Sequence, residues 1–281
     1  VLSEAIFTSI CHQNSIDCTR GNRMRPIAPV LSSLLILAFS GLSAFADEAR
    51  NRTDYTIALS GLPLASAVFQ AVKHSDDYEI EAQIHSTGIA NVITSTKAQM
   101  RSVGTLQNGQ LKPQRFFFRY RYGKRNRLFD TSFKNGNVVS SIIEPKPKES
   151  RRKNWIEIRP EHLKAVTDPI AAFISPADSD PCRAKIQVYD GEARLDLMLE
   201  AKGTDQFRTH GFSGSVIKCS LRYIPRSGYR KNHSDIEYVR KLKGIEIWFA
   251  KSAILNVYAP VFLSVPTKYG TLTMRATRFD G

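Results

Sequence analysis

The sequence predicts a mainly β protein: a highly curved antiparallel sheet, forming an open or closed β-barrel of about ten to thirteen strands with one short helix. Three observations predict it. Residues 78–86, YEIEAQIHS, place Tyr78, Ile80, Ala82 and Ile84 on one face and Glu79, Glu81, Gln83 and His85 on the other, the period-2 pattern of a half-buried strand. Residues 114–122, QRFFFRYRY, set Phe116, Phe118, Tyr120 and Tyr122 against Arg115, Phe117, Arg119 and Arg121 in the same way. Asn108-Gly109, Asn135-Gly136 and Asp190-Gly191 then punctuate apolar runs at hairpin spacing. Two packed sheets would satisfy the same pattern and stand as the alternative arrangement.

Taken in order, residues 1–23 show no periodicity and read as an upstream extension produced by a misplaced start. Met24 to Ala46, MRPIAPVLSSLLILAFSGLSAFA, reads as a signal peptide: a basic opening, an apolar run from Ile27, and small residues at Ala44 and Ala46. Cleavage is expected between Ala46 and Asp47. The rival, a membrane anchor, is disfavoured by the acidic Asp47-Glu48 that follows where a basic flank is usual. Residues 47–281 are then one all-β periplasmic domain, large enough for a substantial core.

The chain carries 40 Lys and Arg against 26 Asp and Glu, a net charge of +14. Removing residues 1–46 takes away only Arg20, Arg23 and Arg25 against Glu4 and Asp17, so the excess stays. Outside the cytoplasm such a surface meets anionic headgroups or wall polymer rather than nucleic acid, which suggests peripheral contact with an anionic membrane surface. Cys182 and Cys219 remain after cleavage, and an even pair in an exported chain reads as a disulfide.

Residues 56–72, with Gly61 and Pro63 in the middle, suggest a bent strand or two strands meeting at a bulge. Residues 89–103 continue as strand. In 114–122 the aromatics face a core and the arginines face solvent. Strands at 127–134 and 137–144 flank Asn135-Gly136, and the Pro- and charge-rich 144–154 reads as a long surface loop. Asp168-Pro169 followed by IAAFI is a helix start, with Asp168 as cap and Pro169 at the first position. This apolar helix of about two turns is expected to plug or lid the sheet. Residues 184–201 form the clearest hairpin, and a strand around 214–224 carries Cys219. Residues 224–234 read as a basic loop, and strands at 244–250, 253–265 and 269–279 finish the sheet.

Chemistry is hard to find. The chain contains no glycine-rich phosphate motif, no HExxH and no zinc-ligand spacing. Residues 211–215, GFSGS, miss the nucleophile-elbow spacing and its strand–turn–helix setting. His74, His85, His162, His210 and His233 are scattered, so no catalytic residue, metal ligand or cofactor is assigned.

The segments SGLPLASAVFQ (60–70), YEIEAQIHSTG (78–88), LKPQRFFFRYRY (111–122), DPIAAFI (168–174), PCRAKIQVYDGEARLDL (181–197) and YGTLTMRAT (269–277) follow in order. Together they resemble the alphaproteobacterial branch of the domain of unknown function 3108 family over about 55–281. The resemblance implies an exported envelope protein built on a curved antiparallel sheet, and no reaction. The functional expectation is a non-enzymatic periplasmic protein that holds a lipid or acyl chain or docks an envelope protein. Its apolar ligand face would be Phe116, Phe118, Tyr120, Leu195, Leu197 and Leu199, with 168–175 as lid. The alternative is a periplasmic hydrolase of wall or glycan.

Overall fold

The computed structural model describes residues 48–281, with residues 94, 148–153 and 184 left aside. The segments 1–23 and 24–46 and the expected cleavage point at Ala46 and Asp47 lie outside the described residues. In chain order the elements are β1 (Glu48–Leu59), β2 (Leu62–His74), β3 (Asp77–Ser86), α1 (Gly88–Ile93), β4 (Thr96–Gln107), β5 (Gln110–Tyr122), β6 (Arg125–Lys134) and β7 (Asn137–Glu144). There follow β8 (Ser175–Pro176), β9 (Ile186–Tyr189), β10 (Arg194–Thr209), β11 (Phe212–Ser227), α2 (Ser234–Lys241), β12 (Ile245–Ser252), β13 (Val257–Thr267) and β14 (Gly270–Phe279).

Neighbouring strands pair in the order β7-β6-β5-β4-β3-β2-β1-β14-β13-β12-β11-β10-β9, with β8 against β13. The chain meanders from hairpin to hairpin, and the long-range ladder of β1 with β14 joins its first described strand to its last. Asn108 and Gly109 (φ 51° and 71°) and Asn135 and Gly136 (φ 52° and 73°) take the left-handed turn that matches the twist of a hairpin. Register shifts interrupt the ladders at Asp54/Tyr55, Ile57/Ala58, Val103/Gly104, Trp248/Phe249 and Ala201/Thr204. Each such bulge adds local twist, so the sheet curls on itself.

The edge strands β7 and β9 meet through side chains and a strap. Val166 N–H donates to Gly136 O (2.8 Å), Thr167 N–H to Gln187 O (2.9 Å) and Tyr189 N–H to Thr167 O (2.9 Å). Ser141 Oγ donates to Gly191 O (2.8 Å) and Arg127 Nη2 to Glu192 Oε1 (3.0 Å). Gly191 (φ 98°) lies so close to Phe129 that an added Cβ would sit 2.8 Å from the phenylalanine Cβ. A side chain there would prise the seam open.

The alternation on β5 is as expected: Phe116, Phe118 and Tyr120 are buried while Arg115, Arg119 and Arg121 are exposed. They join Tyr78, Ile80, Phe129 and Phe133 in one core. A second core gathers Leu195, Leu197, Leu199, Ile247 and Phe249 around Cys182 and Cys219. Those cysteines are joined as a disulfide, Cα–Cα 5.6 Å, tying the approach to β9 onto β11. A third core packs Phe207, Val216, Val261 and Phe279 where the β10–β11 hairpin tip reaches β14. There Phe279 N–H donates to His210 O (2.9 Å), extending the β14 ladder past Arg275, the last of its residues to pair with β13.

Several expectations need correcting. Among the described residues the sheet has fourteen strands, above the expected range; of the two readings of residues 56–72 the two-strand one holds, although β1 and β2 meet at a turn at Ser60-Gly61 and not at a bulge. Residues 89–93, expected to be extended, belong to α1. The two-turn helix after Asp168 is a single 3-10 turn, Ala171–Phe173, ending at Ile174 as β8 pairs with β13. A second helix, α2, follows the basic loop; its Asp235 and Glu237 lie in the first turn and its Arg240 and Lys241 in the last, complementing the helix dipole.

Candidate functional site

The inner faces of the sheet are not packed equally. On β5, β6 and β9 to β12 most inward side chains are buried, whereas inward residues of β1, β13 and β14 such as Ile57, Leu59, Leu263, Val265, Leu272 and Met274 remain half-buried. They line a cavity of about 560 Å³ bounded by β1 to β4, β13, β14 and the segment Pro169–Ile174. That volume falls within the roughly 300–1,000 Å³ typical of small-molecule sites. Interiors are ordinarily close-packed, so an apolar void of this size forgoes the dispersion contacts that a filled core would make.

The wall is apolar with a few polar groups. At one point Asn51 Nδ2 donates to Ser252 Oγ (3.2 Å) and Thr53 Oγ1 donates to Asn51 Oδ1 (3.3 Å). Tyr55 donates its hydroxyl to Pro260 O (2.6 Å). Burial, against the smaller pull of the Thr53 hydrogen bond, raises the Tyr55 pKa, so the phenol stays neutral. Lys73 and Tyr269 also reach the wall. No Asp, Glu or His stands on the described wall, and no group of three or more metal-ligating side chains occurs among the described residues.

Asp168 holds the inner boundary. It is fully buried, its Oδ1 accepts the N–H groups of Ile170 (2.7 Å) and Ala171 (2.9 Å), and its Oδ2 accepts Ser102 Oγ (2.6 Å). Ser102 in turn shares a hydrogen bond with the Tyr78 hydroxyl (3.0 Å). The predicted cap is therefore present, and it pins the turn whose Pro169, Ile170, Phe173 and Ile174 face the cavity. Burial pushes the Asp168 carboxyl up from 3.8 to about 6, against the opposing hydrogen bonds from Ser102, Ala171 and Ile170. Tyr78 is raised as well, chiefly by burial and then by the neighbouring Asp168 charge.

The expected ligand face lies elsewhere. Phe116, Phe118 and Tyr120 are packed in the first core and Leu195, Leu197 and Leu199 in the second, and none of the six lines the cavity. Alternation marks an inward face but does not say whether anything packs against it. The expected lid region does border the cavity, through the residues just named. The structure places the histidines apart, with His85 on the outer face bonded to Ser66 Oγ (2.8 Å) and His162 accepting Arg159 N–H (3.1 Å).

Residues 54–277 match the family model described as "Protein of unknown function (DUF3108)". A crystal structure of a beta-barrel-like protein of the domain of unknown function DUF1849 from Brucella abortus superimposes with a TM-score of 0.50 at 12% identity. The match covers 83% of this chain and 97% of that one, and it speaks for the fold alone. No curated protein matches the chain.

Proposed function

We propose that this chain, which belongs to the DUF3108 family, is an exported, non-enzymatic protein of the cell envelope that holds a lipid-like apolar ligand inside its curved sheet. The observation that supports this reading is the apolar cavity of about 560 Å³, walled by β1, β13, β14 and the Asp168-pinned turn. Apolar side chains that a packed core would bury are left facing it, and an acyl chain restores the lost contacts. The segment 24–46 supplies the export route and the Cys182–Cys219 disulfide suits an oxidising compartment. The hydrolase alternative calls for paired acid–base groups around a polar cleft, and no observation of the site favours it.

The test is titration with N-phenyl-1-naphthylamine, an apolar fluorophore, followed by displacement with decanol. Saturable enhancement at one site, reversed by decanol, is the expected result. No enhancement, or enhancement that does not saturate, would sink the reading.

An envelope protein partner is a second reading, supported by Val139 (61% exposed) and Ile142 (52% exposed) on the edge strand β7. A photo-crosslinker at Val139 in cells should then give one discrete adduct; its absence would remove this reading.

A further inference from the structure

The outer face of β3 to β6 carries its charges in ordered rows. Register places Glu81, Arg101, Phe117 and Asp130 in one row, and Glu79, Val103, Arg115 and Ser132 in the next. Every acid in those rows has a partner: Arg101 reaches Glu79 (2.7 Å) and Glu81 (3.4 Å), and Arg115 reaches Asp130 (2.6 Å). Toward the α1 end the composition changes. One row runs Gln83, Gln99, Arg119, Leu128 and Glu144; the other runs His85, Lys97, Arg121 and Asn126. Lys97 and Arg121 are direct cross-strand neighbours, and like charges so placed destabilise a sheet. Glu144 is the one carboxylate of these rows, two strands from Arg119 or about 10 Å at ordinary strand spacing.

These rows floor a groove of about 1130 Å³, to which Lys97, Arg119, Arg121 and Arg127 all contribute. Ile84, Ser86 and Thr96 border both the groove and the apolar cavity. Between the two voids lies α1: Ala90 lines the cavity and Asn91 lines the groove. Ser86 Oγ donates to Asn91 Oδ1 (3.0 Å) and accepts Thr96 N–H (2.9 Å), fastening that border. An apolar void and a cationic groove thus share one wall at one end of the barrel.

We infer that the ligand is an anionic amphiphile, its apolar chain in the cavity and its headgroup, a phosphate or carboxylate, in the groove against Lys97, Arg119 and Arg121. The inference rests on the cavity being the apolar ligand site. An anionic headgroup relieves the Lys97–Arg121 repulsion, and Arg119 and Arg121 present planar donor forks suited to phosphate. The exposed amides of Gln83 and Gln99 supply further donors beside them.

The test compares decyl phosphate, decanol and inorganic phosphate as displacers of N-phenyl-1-naphthylamine, below micelle-forming concentrations. Wild type should take decyl phosphate about tenfold more tightly than decanol, three exposed charge contacts at ordinary strength being enough for that ratio. The triple variant Lys97→Gln, Arg119→Gln, Arg121→Gln should bring the two to equal affinity, with decanol binding unchanged and a melting temperature no lower than that of wild type, since the Lys97–Arg121 repulsion is removed. Inorganic phosphate should displace nothing, because it has no chain for the cavity. Equal affinities in wild type, or a preference that survives the triple variant, overturn the headgroup assignment and leave the cavity reading standing. Failure of decanol and decyl phosphate alike overturns both.

Discussion

Replacing Asp168 with asparagine separates two effects that act on one carboxyl. As a cap, Asp168 accepts two backbone N–H groups, which favours its ionised form; as a fully buried group it is pushed toward its neutral form. Burial wins, and the carboxyl titrates at about 6 instead of 3.8. At about 1.4 kcal/mol per tenfold change in proton affinity, that rise corresponds to about 3 kcal/mol. The folded protein keeps the proton up to about pH 6, while the unfolded chain releases it near 3.8. Between those values unfolding releases a proton, so the contribution is fully present at low pH and is lost as pH rises through about 6. Asparagine keeps the acceptor for Ile170 and Ala171, and the Ser102 hydroxyl turns to accept from the amide and donate to Tyr78. Urea unfolding of both proteins at intervals from pH 4 to 7.5 measures the difference, and groups common to both cancel. The variant should gain about 2.5 kcal/mol on wild type across that range, the rest of the rise lying below pH 4. Parallel profiles, or a wild type that gains on the variant as pH rises, would refute the reasoning.

Four further outcomes follow, three from the same structure and the last from the sequence. Reducing Cys182–Cys219, which spans 37 residues, should lower stability by about 4 kcal/mol in the chain-entropy account, read from urea midpoints with and without reductant. Asp196 is 1% exposed and bonds Arg194 (2.6 Å) and Arg226 (2.6 Å), so Asp196→Ala strands the buried Arg194 cation and should cost about 3–5 kcal/mol near neutral pH. Burial alone would raise the Asp196 carboxyl, but its guanidinium partners lower it, so the gap to Asp196→Ala should narrow as pH falls below about 4. Met274→Trp projects into the cavity; it should weaken fluorophore binding at least about tenfold while shifting stability by less than about 1.5 kcal/mol, whereas Phe118→Ala in the packed core should cost about 3–5 kcal/mol. Protein recovered from the periplasm should begin at Asp47 by N-terminal sequencing, and retention of residues 24–46 would contradict export by cleavage.

The parts of the fold that a reader of the sequence can find are those encoded locally. The Phe116-Phe118-Tyr120 alternation, the Asn-Gly turns and the Asp168-Pro169 cap each state their structure within a few residues. The lone pair of cysteines left after residue 46 did the same for the disulfide. The site is different because it is set by what lies opposite. Leu197 and Leu263 both sit on inward strand faces, yet the first meets a packed core and the second a void. The sequence shows Arg115, Arg119 and Arg121 on one solvent-facing side of a strand, but only register sets Lys97 beside Arg121 and apart from the paired Glu79, Glu81 and Asp130. The helix after Asp168 fell short because Ser175-Pro176 leaves the helical path at once to pair with Val257 and Tyr258. In α2 the acid-first, base-last order was a usable signal, hidden in a short and strongly polar segment.

The most direct test of the account is native mass spectrometry of the protein purified from a periplasm, with solvent extraction of whatever travels with it. The account predicts a stoichiometric adduct, lost from Met274→Trp, that extraction identifies as a molecule with an acyl or similar apolar chain. A single unadducted mass that stays unchanged when decyl phosphate and decanol are added would contradict it.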